Sequence, residues 1–388
     1  MEKLKIIRTS TVPVSLNILL KGQLKYLNQF YKITAVSSPG ADLELVRNRE
    51  SVRVIPVEME RGISLLKDMS ALIKLYKLFV KEKPVIVHSI TPKAGLLSML
   101  AAKFAKVPLR LHTFTGLIFP SKSGIMRRLL VFMDRLLCLA ATNIYPEGEG
   151  VKKDLQKFSI TNKQLKVLAN GNVNGIDTTF FDPVHYTEDA KNRLRESLHI
   201  DKGDFIFIFI GRLVKDKGIN ELVAAFKKMN LSKCKLLLVG PFEKDLDPLE
   251  PETLKEMEIN PDIIAVGFQD DVRLYFALSD ALVFPSYREG FPNVVMQAGA
   301  MGLPSIVTNI NGCNEIIIEG KNGVIIPPKD ETALLNAMNH FIHHSEEINH
   351  MRKNARPLIT ERYEQQLVWK AILNEYRGLT ESLYNLKC

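Results

Sequence analysis

Short apolar runs alternate with longer amphipathic stretches along this chain of 388 residues, and the alternation occurs twice. Strand–helix alternation of this kind is typical of a parallel sheet with helices on both faces. Amphipathic stretches such as Ser15–Gln29, Ser64–Lys81 and Ala94–Phe104 are predicted helices. The strand-like runs of the first series are Lys5–Arg8, Lys32–Ser37, Arg53–Val57, Val85–Ser89 and Leu109–Phe114.

The second series begins after a charged stretch, Asp182–Asp204, which contains no apolar run and is predicted to be a linker. Phe205–Gly211 reads FIFIFIG, a continuous apolar run typical of a strand buried on both faces. The sequence therefore predicts an α/β protein of two doubly wound, Rossmann-like domains that face each other across a cleft. The predicted domains are residues 1–182, with a helix over about 365–388 packing back onto them, and residues 200–364. The further strand-like runs are Lys235–Gly240, Ile263–Val266, Ala281–Pro285 and Pro304–Thr308.

Charge divides the chain into two unlike halves. Residues 1–180 carry a net charge of +15 and residues 181–388 a net charge of −6, with +11 concentrated in 61–135. One basic half predicts an anionic partner and disfavours a uniformly basic nucleic-acid binder. The stretch Gly124–Ala140 confines its few charges to one side of a helix and follows the apolar loop Leu117–Phe119. It is either a buried core helix or an interfacial surface on a membrane.

Cysteine usage and hydropathy indicate the compartment. The four cysteines lie far apart without a C-x-x-C pair, which disfavours a disulfide framework and fits a reduced cytosol. The first ten residues, MEKLKIIRTS, lack the apolar core of a signal peptide, and no run of 18 apolar residues is present. The sequence therefore predicts a cytoplasmic protein.

Two cations follow the strand that ends at Gly211. Arg212 and Lys217 lie five residues apart, before a predicted helix near Asn220. Ligands of doubly wound sheets bind outside the carboxyl ends of the strands, and cations beside a helix N-terminus suit a diphosphate. Solvated loop charges are the alternative interpretation.

A second polar turn follows the strand Ala281–Pro285. It carries Glu289 and leads into a predicted helix near Pro292. The amides from Gly290 to Val294 would form an anion site, and the carboxylate of Glu289 could accept from sugar hydroxyls. An ordinary helix cap is the alternative, since acidic residues are common near helix starts.

Taken together, the motifs resemble a known family. GRLVKDKG, followed by REGFPNVVMQAGAMGLPSIVTNINGCNEII, resembles the nucleotide-sugar domain of the GT-B glycosyltransferases of family 4. Neither a dinucleotide fingerprint nor a P-loop is present, which disfavours dehydrogenases and NTPases. The resemblance implies that Glu289, Arg212 and Lys217 are catalytic. It also implies donor contacts from Gly211, Arg212, Lys217, Glu289, Gly290, Phe291, Asn293, Val294 and Gln297.

The sequence departs from the family pattern at two places. The second acid of the family's E-x7-E motif is Gln297 here, an amide that can still bond ribose hydroxyls. Many relatives carry T-x-H-G where this chain reads HTFTG, so Thr115 occupies the histidine position and His112 lies three residues earlier. HTFTG resembles a subgroup acting on polyprenyl-diphosphate-linked sugars. His112 and Thr115 are therefore predicted on the acceptor side, with a core histidine as the alternative for His112.

The resemblance implies a retaining hexosyltransferase that moves a sugar, an N-acetylhexosamine, from a UDP-sugar to a polyprenyl-diphosphate-linked saccharide in bacterial glycan assembly. The UDP-sugar is a substrate, so no cofactor is expected, and Asp245-Leu246-Asp247 is discounted as a metal site. The predicted partners are the donor, the lipid-linked acceptor and an anionic membrane surface on the inner face of the cell membrane, but no nucleic acid. The alternatives are a UDP-sugar epimerase of the same fold and a basic nucleic-acid-binding protein.

Overall fold

The computed structural model describes residues 3–60, 62–229, 231, 233–243 and 247–385. The chain forms two compact units, Met1–Gly175 with Gln365–Cys388 (unit 1) and Ile176–Glu364 (unit 2). The division falls at Gly175 and not at the predicted boundary of residue 182. The predicted linker is also wrong in part, because it contains a capped helix and belongs to unit 2.

Unit 1 contains one parallel sheet of six strands. Its strands are β1 (Lys5–Thr9), β2 (Lys32–Ser37), β3 (Arg53–Pro56), β4 (Ile86–Ser89), β5 (Leu109–Phe114) and β6 (Asn143–Pro146). They lie in the order β3-β2-β1-β4-β5-β6. The helices that follow these strands are α1 (Pro13–Leu19), α2 (Gln23–Asn28), α3 (Ala41–Glu50), α4 (Leu65–Glu82), α5 (Pro92–Phe104), α6 (Gly124–Ala140) and α7 (Glu149–Lys157).

The helices of unit 1 cover both faces of this sheet. Ile6 of β1 shares a core with Leu16 of α1 and Val46 of α3. Its neighbour Ile7 points to the opposite face and shares a core with α4, α5 and α6. Crossovers between parallel strands are right-handed. From β1 to β3 the chain adds strands towards one edge of the sheet, and from β4 to β6 it adds them towards the other edge, so the helices of the two series lie on opposite faces.

Unit 2 repeats the architecture with different residues. Its strands are β7 (Phe205–Ile210), β8 (Cys234–Val239), β9 (Ile263–Gly267), β10 (Ala281–Phe284), β11 (Ser305–Thr308) and β12 (Gly323–Ile326). Their order is β12-β11-β10-β7-β8-β9, and all neighbours are parallel. The helices are α8 (Glu188–Ser197), α9 (Ile219–Met229), α10 (Pro251–Ile259), α11 (Arg273–Leu278), α12 (Asn293–Ala300), α13 (Cys313–Ile316), α14 (Glu331–His343) and α15 (Ser345–Tyr363). Two doubly wound sheets confirm the predicted fold class.

The last helix, α16 (Gln365–Asn385), belongs to unit 1 and explains a wrong prediction there. Ser15–Gln29 is two helices, broken at Gly22, whose φ of +80° favours glycine. A Cβ on Gly22 would lie 2.6 Å from the ring of Trp369 on α16. That indole also donates to Oδ1 of Asn174 at 2.7 Å, so Trp369 anchors α16 to unit 1.

Candidate active site

The predicted donor residues lie where the strand order of unit 2 reverses. Arg212 and Lys217 follow β7, Glu289 follows β10, and these two strands are neighbours in the sheet. Helices leave a doubly wound sheet in opposite directions at such a reversal, which leaves a crevice at the carboxyl ends of the strands. The structure therefore places both motifs at the carboxyl edge of this sheet, where the sequence predicted the donor site.

Gly218 fixes the path of the loop after β7. Lys215–Lys217 form a single 3₁₀ turn that ends at Gly218, whose φ of +72° is left-handed. A Cβ at this position would lie 2.2 Å from the carbonyl oxygen of Pro285 in the loop after β10. Only glycine allows the two loops to approach this closely, and the approach brings Lys217 towards the second motif.

Lys217 and Glu289 form an ion pair between the two loops. Nζ of Lys217 donates to Oε1 of Glu289, and Oγ of Ser286 donates to the same oxygen at 2.8 Å. The two charged side chains are 15% and 17% exposed. The carboxylate is therefore held by side chains and does not serve as an ordinary cap of α12.

Arg212 lies beside a different carboxylate. Its side chain is 46% exposed, and Nη1 donates to Oε2 of Glu243 at 2.7 Å. The structure thus gives each predicted diphosphate-binding cation a carboxylate partner. Because the Arg212 pair is exposed, water screens it and an incoming anion can displace Glu243 at small cost.

The remaining predicted donor residues surround the start of α12. Phe291 is buried, with its ring edge-on to Tyr363 at 5.5 Å, so its backbone and not its ring is available to a ligand. Asn293 begins α12, and Gln297 lies one turn later on the same side of the helix. Gly211, Gly290 and Val294 are each partly exposed in the same loops and first turn.

Asp247 braces the loop that carries Lys217. Its carboxylate accepts from the amide of Asp216 at 2.6 Å, and its carbonyl accepts from the amide of Lys215 at 3.1 Å. Asp247 is thus a structural support of the loop, whereas Asp245 and Leu246 lie outside the described residues. Within the described ranges, no cluster of three or more His, Cys, Asp and Glu side chains could hold a metal ion.

The structure decides between the two interpretations of His112. The side chain is 1% exposed, Nδ1 lies 2.8 Å from Oγ of Ser89, and Phe114 contacts the ring edge-on at 4.5 Å. Burial lowers the pKa of His112 to about 3, so the imidazole is neutral at physiological pH. His112 is a core histidine within β5, whereas Thr115 is partly exposed in the following loop and stays a predicted acceptor-side residue.

Sequence reasoning missed a strained residue at the corresponding edge of unit 1. Thr91 follows β4 with φ +112°, a region that residues other than glycine rarely adopt. Its Oγ1 accepts from the amide of Thr11 at 3.0 Å, and Oγ1 of Thr11 accepts from the amide of Ala94 in the first turn of α5. Such strain costs about 1–3 kcal/mol and concentrates at functional sites.

Known proteins resemble this chain in both fold and sequence. The two doubly wound units have the GT-B fold. The crystal structure of Anabaena Alr3699/HepE in complex with UDP superposes on this chain with a TM-score of 0.80 at 17% sequence identity. The match covers 97% of this chain and 100% of that one. The model "Glycosyl transferases group 1" matches residues 190–357, and "Glycosyl transferase 4-like" matches residues 14–146. The chain belongs to the group 1 glycosyltransferases of family 4, as the sequence predicted.

Two relatives share much of the chain. The capsular polysaccharide biosynthesis glycosyltransferase CapM of Staphylococcus aureus is 31% identical over 391 residues, covering 99% of this chain and 98% of the relative. The UDP-Gal:alpha-D-GlcNAc-diphosphoundecaprenol alpha-1,3-galactosyltransferase of Escherichia coli is 30% identical and covers 76% of each chain. The protein is therefore a glycosyltransferase with relatives in capsule synthesis and in the glycosylation of polyprenyl-diphosphate-linked sugars.

Proposed function

We propose that the protein is a retaining glycosyltransferase that moves an N-acetylhexosamine from a UDP-sugar to a polyprenyl-diphosphate-linked saccharide. The observation that carries the proposal is the pair Lys217–Glu289 at the carboxyl ends of β7 and β10, held by Ser286. A cation and a sugar-binding acid side by side are what a sugar diphosphate requires, since its charge and its hydroxyls lie a few ångströms apart.

Donor binding exchanges the partners of three side chains. Phosphate oxygens replace Glu289 as the partner of Lys217 and replace Glu243 as the partner of Arg212. The freed carboxylate of Glu289 accepts from a hydroxyl of the sugar. The N-terminal end of α12 adds backbone amides and the positive end of a helix dipole, both of which favour an anion such as the diphosphate.

Transfer breaks the bond between the anomeric carbon and the diphosphate oxygen, and it forms a bond from that carbon to the acceptor oxygen. Negative charge grows on the leaving UDP, where Arg212, Lys217 and the α12 amides stabilise it. The acceptor attacks from the face that UDP leaves, so the anomeric configuration is retained. The proton of the acceptor hydroxyl goes to the departing diphosphate, and no side-chain nucleophile takes part.

The acceptor is proposed from sequence and relatives together. HTFTG resembles transferases of polyprenyl-diphosphate-linked sugars, and the E. coli relative is named for such an acceptor. A lipid-linked acceptor places the enzyme at the inner face of the cell membrane as a peripheral protein. In keeping with this, no described helix has both the length and the hydrophobicity to cross a bilayer, and unit 1 carries the basic half of the chain.

The test is a panel of UDP-sugars with a polyprenyl-diphosphate N-acetylglucosamine. UDP-GalNAc, UDP-GlcNAc and UDP-Gal are each incubated with enzyme, with and without acceptor, and released UDP is measured. We expect acceptor-dependent release with an N-acetylated donor and an α-linked product by NMR. Interconversion of UDP-sugars without acceptor would support the epimerase, a β-linked product would overturn retention, and release only from UDP-Gal would overturn the N-acetylhexosamine.

A further inference from the structure

We propose that the outer faces of α4 and α6 form a surface that inserts into an anionic lipid bilayer. The inference deepens the proposed function, on which it rests only for the presence of a lipid-linked acceptor. This insertion surface is defined by exposed apolar side chains of the two helices. They are Leu65, Leu66, Met69, Ile73, Tyr76 and Val80 of α4, and Ile125, Met126, Leu129, Phe132 and Leu139 of α6.

On α4 these side chains form one continuous stripe. Leu65 and Leu66 are 82% and 87% exposed, and Met69, Ile73 and Val80 follow at spacings of three, four and seven residues. At 100° per residue, all six apolar side chains fall within a sector of about 100°. The core-facing residues of α4 occupy a different sector, so the stripe is a second apolar face that no described residue of unit 1 covers.

Lysines flank this stripe along its whole length. Lys67, Lys74, Lys77 and Lys81 are exposed and fall in the sector next to the apolar side chains. An apolar stripe bordered by lysines is the pattern of a helix that lies in a bilayer interface, where the apolar face enters the acyl region and the cations meet anionic headgroups.

The helix α6 repeats the pattern and settles an interpretation that the sequence left open. Ile125 and Phe132 are 84% and 61% exposed, and with Leu129 and Leu139 they fall within about 80° on the helix. Exposed Arg128 and Arg135 border this stripe. Leu137, Cys138 and Ala140 are buried, and Leu130 and Val131 pack against the same core, so α6 is buried on one side and is not the fully buried helix of the alternative interpretation.

Both stripes belong to the same side of unit 1. The helices α4, α5 and α6 connect β3 through β6 by successive crossovers in one direction and share one core on one face of the sheet. Among the described residues, fourteen of the twenty-five exposed large apolar side chains lie between Ile63 and Leu139. Concentration on one side marks a docking surface, because single exposed apolar residues scattered over a protein need no explanation.

The charge of the surface selects the occupant. Residues 61–135 carry a net charge of +11, so two such surfaces would repel each other in a dimer of this chain. An anionic bilayer attracts the same charges and offers acyl chains to the apolar stripes between them. The lipid surface is therefore the occupant that satisfies both the apolar and the basic side chains.

Insertion is measured directly with a tryptophan on the stripe. Leu66→Trp places an indole at the most exposed position of α4, and the chain's own Trp369 is buried, so its emission provides a constant background. We expect the emission to shift to the blue on addition of vesicles of phosphatidylcholine with about one third phosphatidylglycerol. Ile259→Trp, on the exposed face of α10 in unit 2, is the control and should not shift. Equal behaviour of the two variants would overturn the proposal.

Flotation with the same vesicles tests the two components of the surface separately. Leu65→Ser, Leu66→Ser and Met69→Ser together should weaken binding at least about tenfold, whereas the matched control Val184→Ser, Ile259→Ser and Phe268→Ser in unit 2 should not. Lys74→Gln, Lys77→Gln and Lys81→Gln together should weaken binding at least about tenfold at low salt, against the control Lys202→Gln, Lys255→Gln and Lys353→Gln.

UDP binding by calorimetry separates this proposal from the proposed function. Wild type that binds UDP but does not float with vesicles overturns the insertion surface alone. Wild type that floats but does not bind UDP overturns the donor site alone. Self-association in the ultracentrifuge that the serine variant abolishes, without vesicle binding, identifies a second copy as the occupant and also overturns the proposal.

Discussion

Lys217 in the loop after β7 and Glu289 in the loop after β10 form an ion pair across the strand-order reversal of unit 2. Each side chain is less than one fifth exposed, so the pair is partly withdrawn from water and its attraction is only partly screened. In the proposed function, a donor must therefore separate the pair and supply a better partner to each member. A sugar diphosphate offers phosphate oxygens to Lys217 and sugar hydroxyls to Glu289, whereas a free sugar or a simple phosphate offers a partner to only one of them.

Removal of either diphosphate-binding cation should weaken UDP binding. Lys217→Ala and Arg212→Ala each lose a charge-assisted hydrogen bond to phosphate, which costs about 1.5–3 kcal/mol. Calorimetric titration with UDP measures the loss. Lys215→Ala is the matched control, because this lysine is exposed in the same loop, pairs with Glu250 and should leave the affinity unchanged. An equal effect of Lys215→Ala would contradict the assignment.

Chelation should leave that affinity nearly unchanged, because the proposed site holds the diphosphate with Arg212, Lys217 and the α12 amides. The same titration in the presence of EDTA tests this. Loss of UDP binding on chelation, with recovery on addition of manganese, would show that a metal ion supplies the charge and would contradict the proposed donor site.

Gly218 should be needed for the close approach of the two loops. Gly218→Ala incurs the left-handed penalty of about 1–2 kcal/mol and also places a Cβ against the carbonyl of Pro285. Gly320→Ala is the control, since its φ of +71° nearly equals the +72° of Gly218 and no atom lies within 4 Å of its Cβ position. Denaturant unfolding and UDP titration should show a larger loss for Gly218→Ala in both. Equal losses would indicate that only the backbone conformation matters.

Stability of unit 1 should fall as the pH rises through neutrality because of Asp134 on α6. Burial raises the pKa of this carboxyl from its ordinary 3.8 to about 7. The native state therefore binds the proton more tightly than the unfolded chain, and the stabilisation by that proton is lost between about pH 4 and pH 7. Asp134→Asn should be more stable than wild type by up to about 4 kcal/mol at pH 8 and nearly equal to it near pH 4. A difference independent of pH in urea unfolding would show that ionisation is not the cause.

The central strands and the edge strands β3 and β9 could be predicted from the sequence, whereas the edge strands β6 and β12 could not. Phe205–Ile210 is a buried apolar run because β7 has neighbours on both sides and helices on both faces. The strands β6 and β12 lie at sheet edges, are four residues long and read NIYP and GVII. Such short runs, one with a proline and one with a glycine, carry no periodicity that distinguishes them from loops.

The wrong helix prediction has a long-range cause, and the wrong linker prediction has a local one. Periodicity over Ser15–Gln29 continues through Gly22, and only the packing of Trp369 from α16 shows that the chain turns there. The segment Asp182–Asp204 contains α8, with Thr187 as its N-cap, accepting from the amide of Ala190. Its helix is polar on most positions, so the hydrophobic pattern that predicts other helices is weak.

The site could be predicted in part because its motifs are local. Arg212, Lys217 and Glu289 follow strands at spacings that sequence reveals, and the order of the motifs adds the family. The partners of these residues could not be predicted. The pairing of Lys217 with Glu289, and the burial of His112 beside Ser89, depend on how segments distant in the sequence approach in the folded unit.

The most direct test of the account is the transfer activity of Glu289→Ala. Loss of a charge-assisted bond to the donor sugar in a partly buried site costs about 2–4 kcal/mol, or about 30- to 1000-fold in rate. Acceptor-dependent UDP release by wild type and variant measures the effect, with thermal unfolding to show that both are folded. The account predicts a folded variant that still binds UDP and transfers at least about 30-fold more slowly. A folded variant with near-normal turnover would contradict it.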